Sequence, residues 1–143
     1  MSNKPILLAA SGLIAISFWL PSHCLADDNG WSANVAATSN YLWRGLEQTN
    51  GSAAISGGID YAAGSGFYFG TWASNADWAD DMTYELDFYG WFSGEVESVS
   101  YDIGFIYYAY PDSKDDVDFS EVYASVSFGM FSLGYSVLAD ADG

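Results

Sequence analysis

The sequence predicts an all-β chain: an antiparallel up-and-down transmembrane β-barrel that follows a cleaved export segment. Three observations predict it. Apolar and polar residues alternate with period two in one segment after another, the links between segments alternate short and long, and aromatic residues gather toward the segment ends. No stretch carries a sustained 3.6-residue apolar stripe, so strands and turns account for the chain beyond its amino end.

The amino end is read as a signal peptide. Lys4 supplies a positive start, residues 6–20 an apolar run, and Pro21-Ser22-His23-Cys24-Leu25-Ala26 a short polar stretch ending in a small residue, with cleavage after Ala26. The apolar run is shorter than the roughly 20 residues a helix needs to cross a bilayer, which argues against a retained anchor. A lipoprotein site at Cys24 is disfavoured because His23 is bulky where such sites carry a small residue. The expected organisation is a signal peptide over 1–26 and one β domain over 27–143.

Charge and composition narrow the chemistry. The 143 residues hold three Lys plus Arg against nineteen Asp plus Glu, a net charge of −16, yet half are hydrophobic and 18% are aromatic. Disordered acidic chains lack such aromatic content, so this one is expected to be ordered. Nucleic acid is excluded as a partner, because its phosphates call for bases that are scarce here. Removing 26 residues leaves 117, with no Cys, no His, Arg44 and Lys114 as the only bases, and a net charge of −17. Without His or Cys there is no Ser-His-Asp or Cys-His arrangement, no usual zinc ligand set and no disulfide. No cofactor and no metal are expected.

Seven strands are expected, over 31–44, 53–61, 67–74, 83–93, 99–110, 119–128 and 131–138, most close to the 9–11 residues of a tilted membrane strand. In the fourth, Tyr84, Leu86, Phe88 and Phe92 oppose Glu85, Asp87 and Tyr89. The fifth sets Tyr101, Ile103, Phe105 and Tyr107 against Asp102 and Gly104, with Ile106 breaking the polar run. The sixth sets Val122, Ala124, Val126 and Phe128 against Glu121, Tyr123, Ser125 and Ser127. In the seventh, Phe131, Leu133, Tyr135 and Val137 oppose Ser132, Gly134 and Ser136. The first three, rich in Ala and Gly, alternate less cleanly.

The links at 62–66, 94–98 and 129–130 are short, whereas those at 45–52, 75–82 and 111–118 are longer, and the last two are dense in Asp. Outer-membrane barrels show this asymmetry, with tight periplasmic turns and longer outer loops. Tyr41, Trp43, Trp72, Tyr84, Tyr108 and Tyr110 fall near the long-loop ends, and Tyr61, Phe67, Trp91, Phe92, Phe128 and Phe131 near the short ones, as two interface bands would require. A secreted or surface β-sandwich that packs these aromatics against a second sheet, and binds through its acidic loops, is the alternative. The loop alternation favours the barrel.

Several linked segments resemble a known family. They are Ser32-Ala33-Asn34-Val35-Ala36-Ala37-Thr38-Ser39-Asn40-Tyr41-Leu42-Trp43-Arg44-Gly45, Gly57-Gly58-Ile59-Asp60-Tyr61, and Ser65-Gly66-Phe67-Tyr68-Phe69-Gly70-Thr71-Trp72-Ala73-Ser74-Asn75. Glu85-Leu86-Asp87-Phe88-Tyr89-Gly90 and Tyr101-Asp102-Ile103-Gly104-Phe105-Ile106-Tyr107-Tyr108 continue the pattern. Together they look like the TorF family of porins. The resemblance covers nearly all of the chain after residue 26 and implies a Gram-negative outer-membrane β-barrel with a channel role, no assigned substrate and no catalytic residues. Members of that family are longer. Seven strands would leave two unpaired edges, and bacterial barrels have an even strand number of at least eight, so an amino-terminal fragment is expected.

On this reading Asp60, Glu85, Asp87, Asp102 and Glu121 line a pore, and Arg44 ends the first strand near its outer mouth. Carboxylates around a wet lumen attract cations and repel anions, so the expected activity is passive diffusion of small solutes with a cation preference. The expected partners are outer-membrane lipid and small solutes or cations. The bland reading is that the acids are hydrated or paired with bases. Glu85 and Asp87, about 7 Å apart on one strand face, fall in the range of an inverting glycosidase pair. Any acidic lumen strand produces such a pair, and no nucleophile or oxyanion device accompanies it, so no enzyme is expected. The loops Asp77-Trp78-Ala79-Asp80-Asp81 and Asp112-Ser113-Lys114-Asp115-Asp116-Val117-Asp118 have oxygens for Ca²⁺ but lack the EF-hand spacing, and are expected to be solvated.

Overall fold

The computed structural model describes residues 30–141. The export segment, with its expected cut after Ala26, lies outside the described residues. Nine strands form: β1 (Gly30–Thr38), β2 (Leu42–Trp43), β3 (Leu46–Glu47), β4 (Ala54–Ala62), β5 (Phe67–Asn75), β6 (Tyr84–Val96), β7 (Val99–Ala109), β8 (Phe119–Phe128) and β9 (Phe131–Ala141). Seven of them make one antiparallel sheet in the order β1-β4-β5-β6-β7-β8-β9, and β2 and β3 pair with each other as a separate hairpin. The expected all-β antiparallel meander is what forms. The sheet is open, with β1 and β9 each paired on one side only among the described residues.

Two expectations about strand limits are corrected. The first strand does not run from 31 to 44. It stops at Thr38, and the chain then turns back as the β2–β3 hairpin, whose tip residues Arg44 (φ 50°) and Gly45 (φ 85°) both have positive φ. A two-residue hairpin turn needs that conformation at both positions, and the aromatic and aliphatic residues around the tip hide it from an alternation count. The second correction is to the link expected at 94–98, which is only the two residues Glu97 and Ser98, because β6 and β7 extend to meet as Val96 and Val99. Tight turns therefore lie at one end of the sheet and the long loops at the other, as expected.

Pairing register keeps the acids on one face and most of the aliphatic residues on the other. Phe88 of β6 sits beside Thr71 and Tyr107, and Phe105 beside Gly90 and Val122, whereas Asp87 sits beside Trp72 and Tyr108, and Glu121 beside Ile106 and Leu138. Beyond Glu121 a bulge inserts one extra residue into β9.

Burial is inverted relative to a water-soluble sheet. Phe88 and Phe105 are 50% and 45% exposed, and Val35, Ile59, Ile103, Val126, Leu133 and Tyr135 are exposed too, while Glu85 and Glu121 are 1% and 5% exposed. Charged residues are almost never so buried unless partnered, and large apolar patches are seldom left bare on soluble monomers. The hydrophobic core is small and sits at the long-loop end. Ala76, Met82, Tyr108 and Tyr110 form it, with Trp43, Ala79, Ile106, Val117 and Phe119 packed around them.

The aromatic bands are corrected by the same registers. At the tight-turn end a ladder does run across the apolar face, with Trp31–Tyr61 centroids at 5.0 Å, Phe67–Phe92 at 4.9 Å and Phe92–Tyr101 at 6.2 Å. At the long-loop end Tyr41, Trp43, Tyr108 and Tyr110 belong to the polar side and its core instead. Depth along a strand is legible from loop position, but facing depends on parity, and these residues have the parity of the acidic face or lie on the hairpin segment.

Candidate functional site: the acidic face and its inturned hairpin

Asp60, Glu85, Asp87, Asp102 and Glu121 all fall on one face of the sheet. Asp60 aligns with Gly70 and so with Tyr89, Asp87 aligns with Tyr108, Asp102 with Ser93 and Ser125, and Glu121 with Ile106. Arg44 does not end the first strand at an outer mouth. It rides the hairpin tip back over this face.

The hairpin is held by its own polar groups. The Gln48 amide donates to the Tyr41 carbonyl at 2.8 Å, the Tyr41 amide to Thr49 Oγ1 at 3.1 Å, and Thr49 Oγ1 to the Ser52 carbonyl at 2.6 Å. Asp77 N–H donates to the Gln48 carbonyl at 2.7 Å, which ties the hairpin to the β5–β6 loop. Gln48 and Thr49 are buried, so each bond satisfies a group that water cannot reach.

Three side chains of this segment dock it on the sheet. The Arg44 guanidinium donates from Nη1 and Nη2 to the two oxygens of Glu121 at 2.7 and 2.6 Å, the fork geometry that a carboxylate accepts best. Its Cζ also lies 4.2 Å from the Trp43 ring centroid. The Glu121 hydrogen bond is the main influence raising the Arg44 pKa, so the group is a fixed cation. Trp43 packs edge-on against Tyr108 and Phe119 at 5.9 and 6.1 Å. Tyr41 meets Trp72 at 5.4 Å, and its hydroxyl donates to Glu85 at 2.9 Å, while Tyr110 donates to the other Glu85 oxygen at 2.9 Å. Burial, and next the charge of Glu85, push both tyrosine hydroxyls up, which keeps them donors.

The remaining acids differ in partners. Asp60 accepts from Tyr89 Oη at 2.6 Å and from Asn34 Nδ2 at 3.5 Å. Asp102 lies beside the Tyr123 hydroxyl. Asp87 Oδ1 is buried without a hydrogen-bond partner among the described residues, between Trp72 on one side and Tyr108 on the other. The glycosidase-like pair is therefore unequal, with Glu85 held by two tyrosines and Asp87 by none.

In the long loops the acids are partly used for structure. Lys114 pairs with Asp81, Asp112 accepts from the Thr83 amide at 3.0 Å, and Asp118 accepts from the Tyr110 amide at 2.8 Å. Among the described residues no group of three or more His, Cys, Asp or Glu is placed to hold a metal ion.

Sequence alone named the acids but missed Tyr41, Tyr89 and Tyr110 as their partners. A signal for the hairpin was present: Arg44-Gly45 flanked by Leu42-Trp43 and Leu46-Glu47 is a two-residue turn between short apolar arms. Tyr41 and Tyr110 carry no local signal, because each reaches Glu85 from 44 and 25 residues away.

Neither a curated protein nor a solved structure matches the chain. A family model does, over residues 26–142, and the chain belongs to that family, Gcw_chp, bacterial proteins of unknown function.

Proposed function

We propose that the chain forms part of a β-barrel in the outer membrane of a Gram-negative bacterium, with its apolar face against lipid and its acidic face around a water-filled passage. In this reading it conducts small solutes by passive diffusion with a preference for cations. One observation carries the reading: a seven-stranded sheet whose aromatic and aliphatic side chains lie bare on one face while Asp60, Glu85, Asp87, Asp102 and Glu121 all share the other. A lipid-facing sheet has that inversion, since hydrocarbon solvates the apolar face and water the other. The alternating turns and loops and the resemblance to TorF porins agree with it. The sandwich would bury the apolar face under a second sheet, but the β2–β3 hairpin packs on the polar face.

The hairpin narrows the passage at its long-loop end. Arg44 pairs with Glu121 there, while among the described residues Asp60 and Asp102 have no basic partner, so the wall keeps a negative character that favours cations. Because an unpaired strand edge cannot persist in hydrocarbon, the reading requires β1 and β9 each to find a pairing partner in the assembled barrel.

Fractionation and conductance test this. The full-length protein is expected to pellet with outer membranes, to resist carbonate washing, and in planar bilayers to give a reversal potential displaced toward that of the cation. Recovery from the soluble periplasm sinks the barrel; membrane retention without conductance sinks the channel.

A further inference from the structure

Toward the tight-turn end, the polar face has a feature that the acids near the hairpin do not explain. Register places Ser93, Asp102 and Ser125 side by side across β6, β7 and β8, and Glu95, Ser100 and Ser127 in the next row but one along each strand. These six line an open cleft of about 380 Å³, within the range of small-molecule sites. Ser100 donates to Glu95 at 3.3 Å and Ser127 to Ser132 at 3.0 Å, whereas the Ser93 and Ser125 hydroxyls have no side-chain partner among the described residues.

An aromatic ridge borders the cleft on the side of the long loops. There Trp91, Gly104 and Tyr123 are aligned. A carbon added at Gly104 would meet the Tyr123 ring at 2.5 Å and Trp91 Cβ at 2.7 Å, so the glycine is what lets the Tyr123 ring lean across β7 toward Trp91. Trp91 meets Tyr123 edge-on at 6.5 Å and stacks on Tyr68 at 4.1 Å.

We propose that this cleft binds a short, uncharged saccharide, whose hydroxyls meet the serine and carboxylate rows and whose C–H face packs on the Trp91–Tyr123 ridge. A sugar hydroxyl both donates and accepts, and serine hydroxyls beside carboxylates offer both functions in a row. Aromatic rings with polar rims suit a ligand that has an apolar face and a polar edge. Anions find no base here, since Arg44 is bound to Glu121 and Lys114 to Asp81 at the other end of the sheet. A bare divalent cation needs more oxygen ligands than these two separated acids provide, and no metal-holding group of acids occurs among the described residues. The inference names a solute class for the lumen and rests on the channel reading for its place on a transport path; the binding itself requires only this face of the sheet.

The test uses the full-length protein folded in detergent and titrated with maltotriose, cellobiose and raffinose, with tetraethylammonium as a cation without hydroxyls, while tryptophan fluorescence is followed. At least one saccharide is expected to bind saturably and tetraethylammonium is not. Trp91→Ala and, separately, Asp102→Asn should each weaken binding about tenfold, a loss of roughly 1.4 kcal/mol. Asp102→Asn keeps the side-chain shape, so it reports on the cleft if Trp91→Ala fails to fold. No saturable binding of any of the three saccharides, unchanged affinity in the folded variants, or binding of tetraethylammonium alone would each overturn the proposal. Planar bilayers separate the two readings: conductance without saccharide binding removes the site and leaves the channel, while saccharide binding without conductance keeps the site and removes the channel.

Discussion

Arg44 and Glu121, 77 residues apart in sequence, share two hydrogen bonds of 2.7 and 2.6 Å that fasten a hairpin tip to the eighth strand. The arginine occupies a left-handed backbone conformation, with φ 50°, which costs a non-glycine residue on the order of 1 kcal/mol. The paired bonds to Glu121 and the contact with the Trp43 ring offset that cost. The hairpin is thus held in place by tertiary contacts more than by its two short strands.

Breaking this pair has a direction that conductance can read. Arg44→Ala leaves Glu121 charged and unpaired at the narrow end, so cation preference should rise; Glu121→Gln leaves the arginine unopposed, so it should fall. Because the Arg44 side chain is nearly half exposed, the pair should contribute only about 1 kcal/mol to stability in a double-mutant cycle. Reversal potentials under a salt gradient check the signs. Equal shifts in the same direction would show that the pair does not face the permeating ions.

Face assignment predicts unequal costs for acid changes. Phe105→Asp puts a charge on the apolar side at mid-strand, whereas Asp102→Asn removes one from the polar side. The first should impair insertion into lipid vesicles by about 2 kcal/mol, and the second should leave insertion nearly unchanged. Heat-modifiable gel migration after refolding measures both, and similar losses would mean that the faces are reversed.

Gly70 predicts a packing defect. A methyl group there would lie 2.5 Å from Asp60 Oδ1 and 2.6 Å from the Tyr89 ring, the two partners of a 2.6 Å hydrogen bond. Gly70→Ala should therefore destabilise the folded state by roughly 1–3 kcal/mol. A urea midpoint in detergent equal to that of the parent would rule out the close approach.

Alkali should loosen the hairpin. Tyr41 and Tyr110 have hydroxyls pushed above their ordinary value, whereas in the unfolded chain both ionise near pH 10. A group whose folded pKa is raised stabilises fully below the unfolded pKa and loses that contribution as pH rises past it, so the denaturant midpoint should drop from about pH 10 upward. Tyr41→Phe should flatten part of the drop, and a drop of unchanged size in that variant would free Tyr41 of the role.

Much of the sheet was legible in the sequence because β6 to β9 alternate, with Ile106 as an exception, and a period of two fixes which residues share a face. That is why Glu85, Asp87, Asp102 and Glu121 could be grouped from the sequence, whereas Asp60 lies on the less regular β4. The end of β1 was harder to read, since the Arg44-Gly45 turn signal is short and is confirmed as a turn by the positive φ at both residues. The partners of the acids were not legible. Tyr41 to Glu85 and Arg44 to Glu121 are long-range contacts set by how the hairpin folds back, and no local pattern encodes that distance.

The uneven ends of the sheet also give it a leading side. The loops at 77–81 and 112–118 hold seven carboxylates and one ammonium, against turns of two to four residues opposite. Each such charge costs about 3 kcal/mol at the middle of a bilayer. If the long loops end up on the far side, they must be carried there through a hydrated route, so unaided refolding into sealed, thick vesicles should be slow. Thin or defect-rich membranes should admit the protein first.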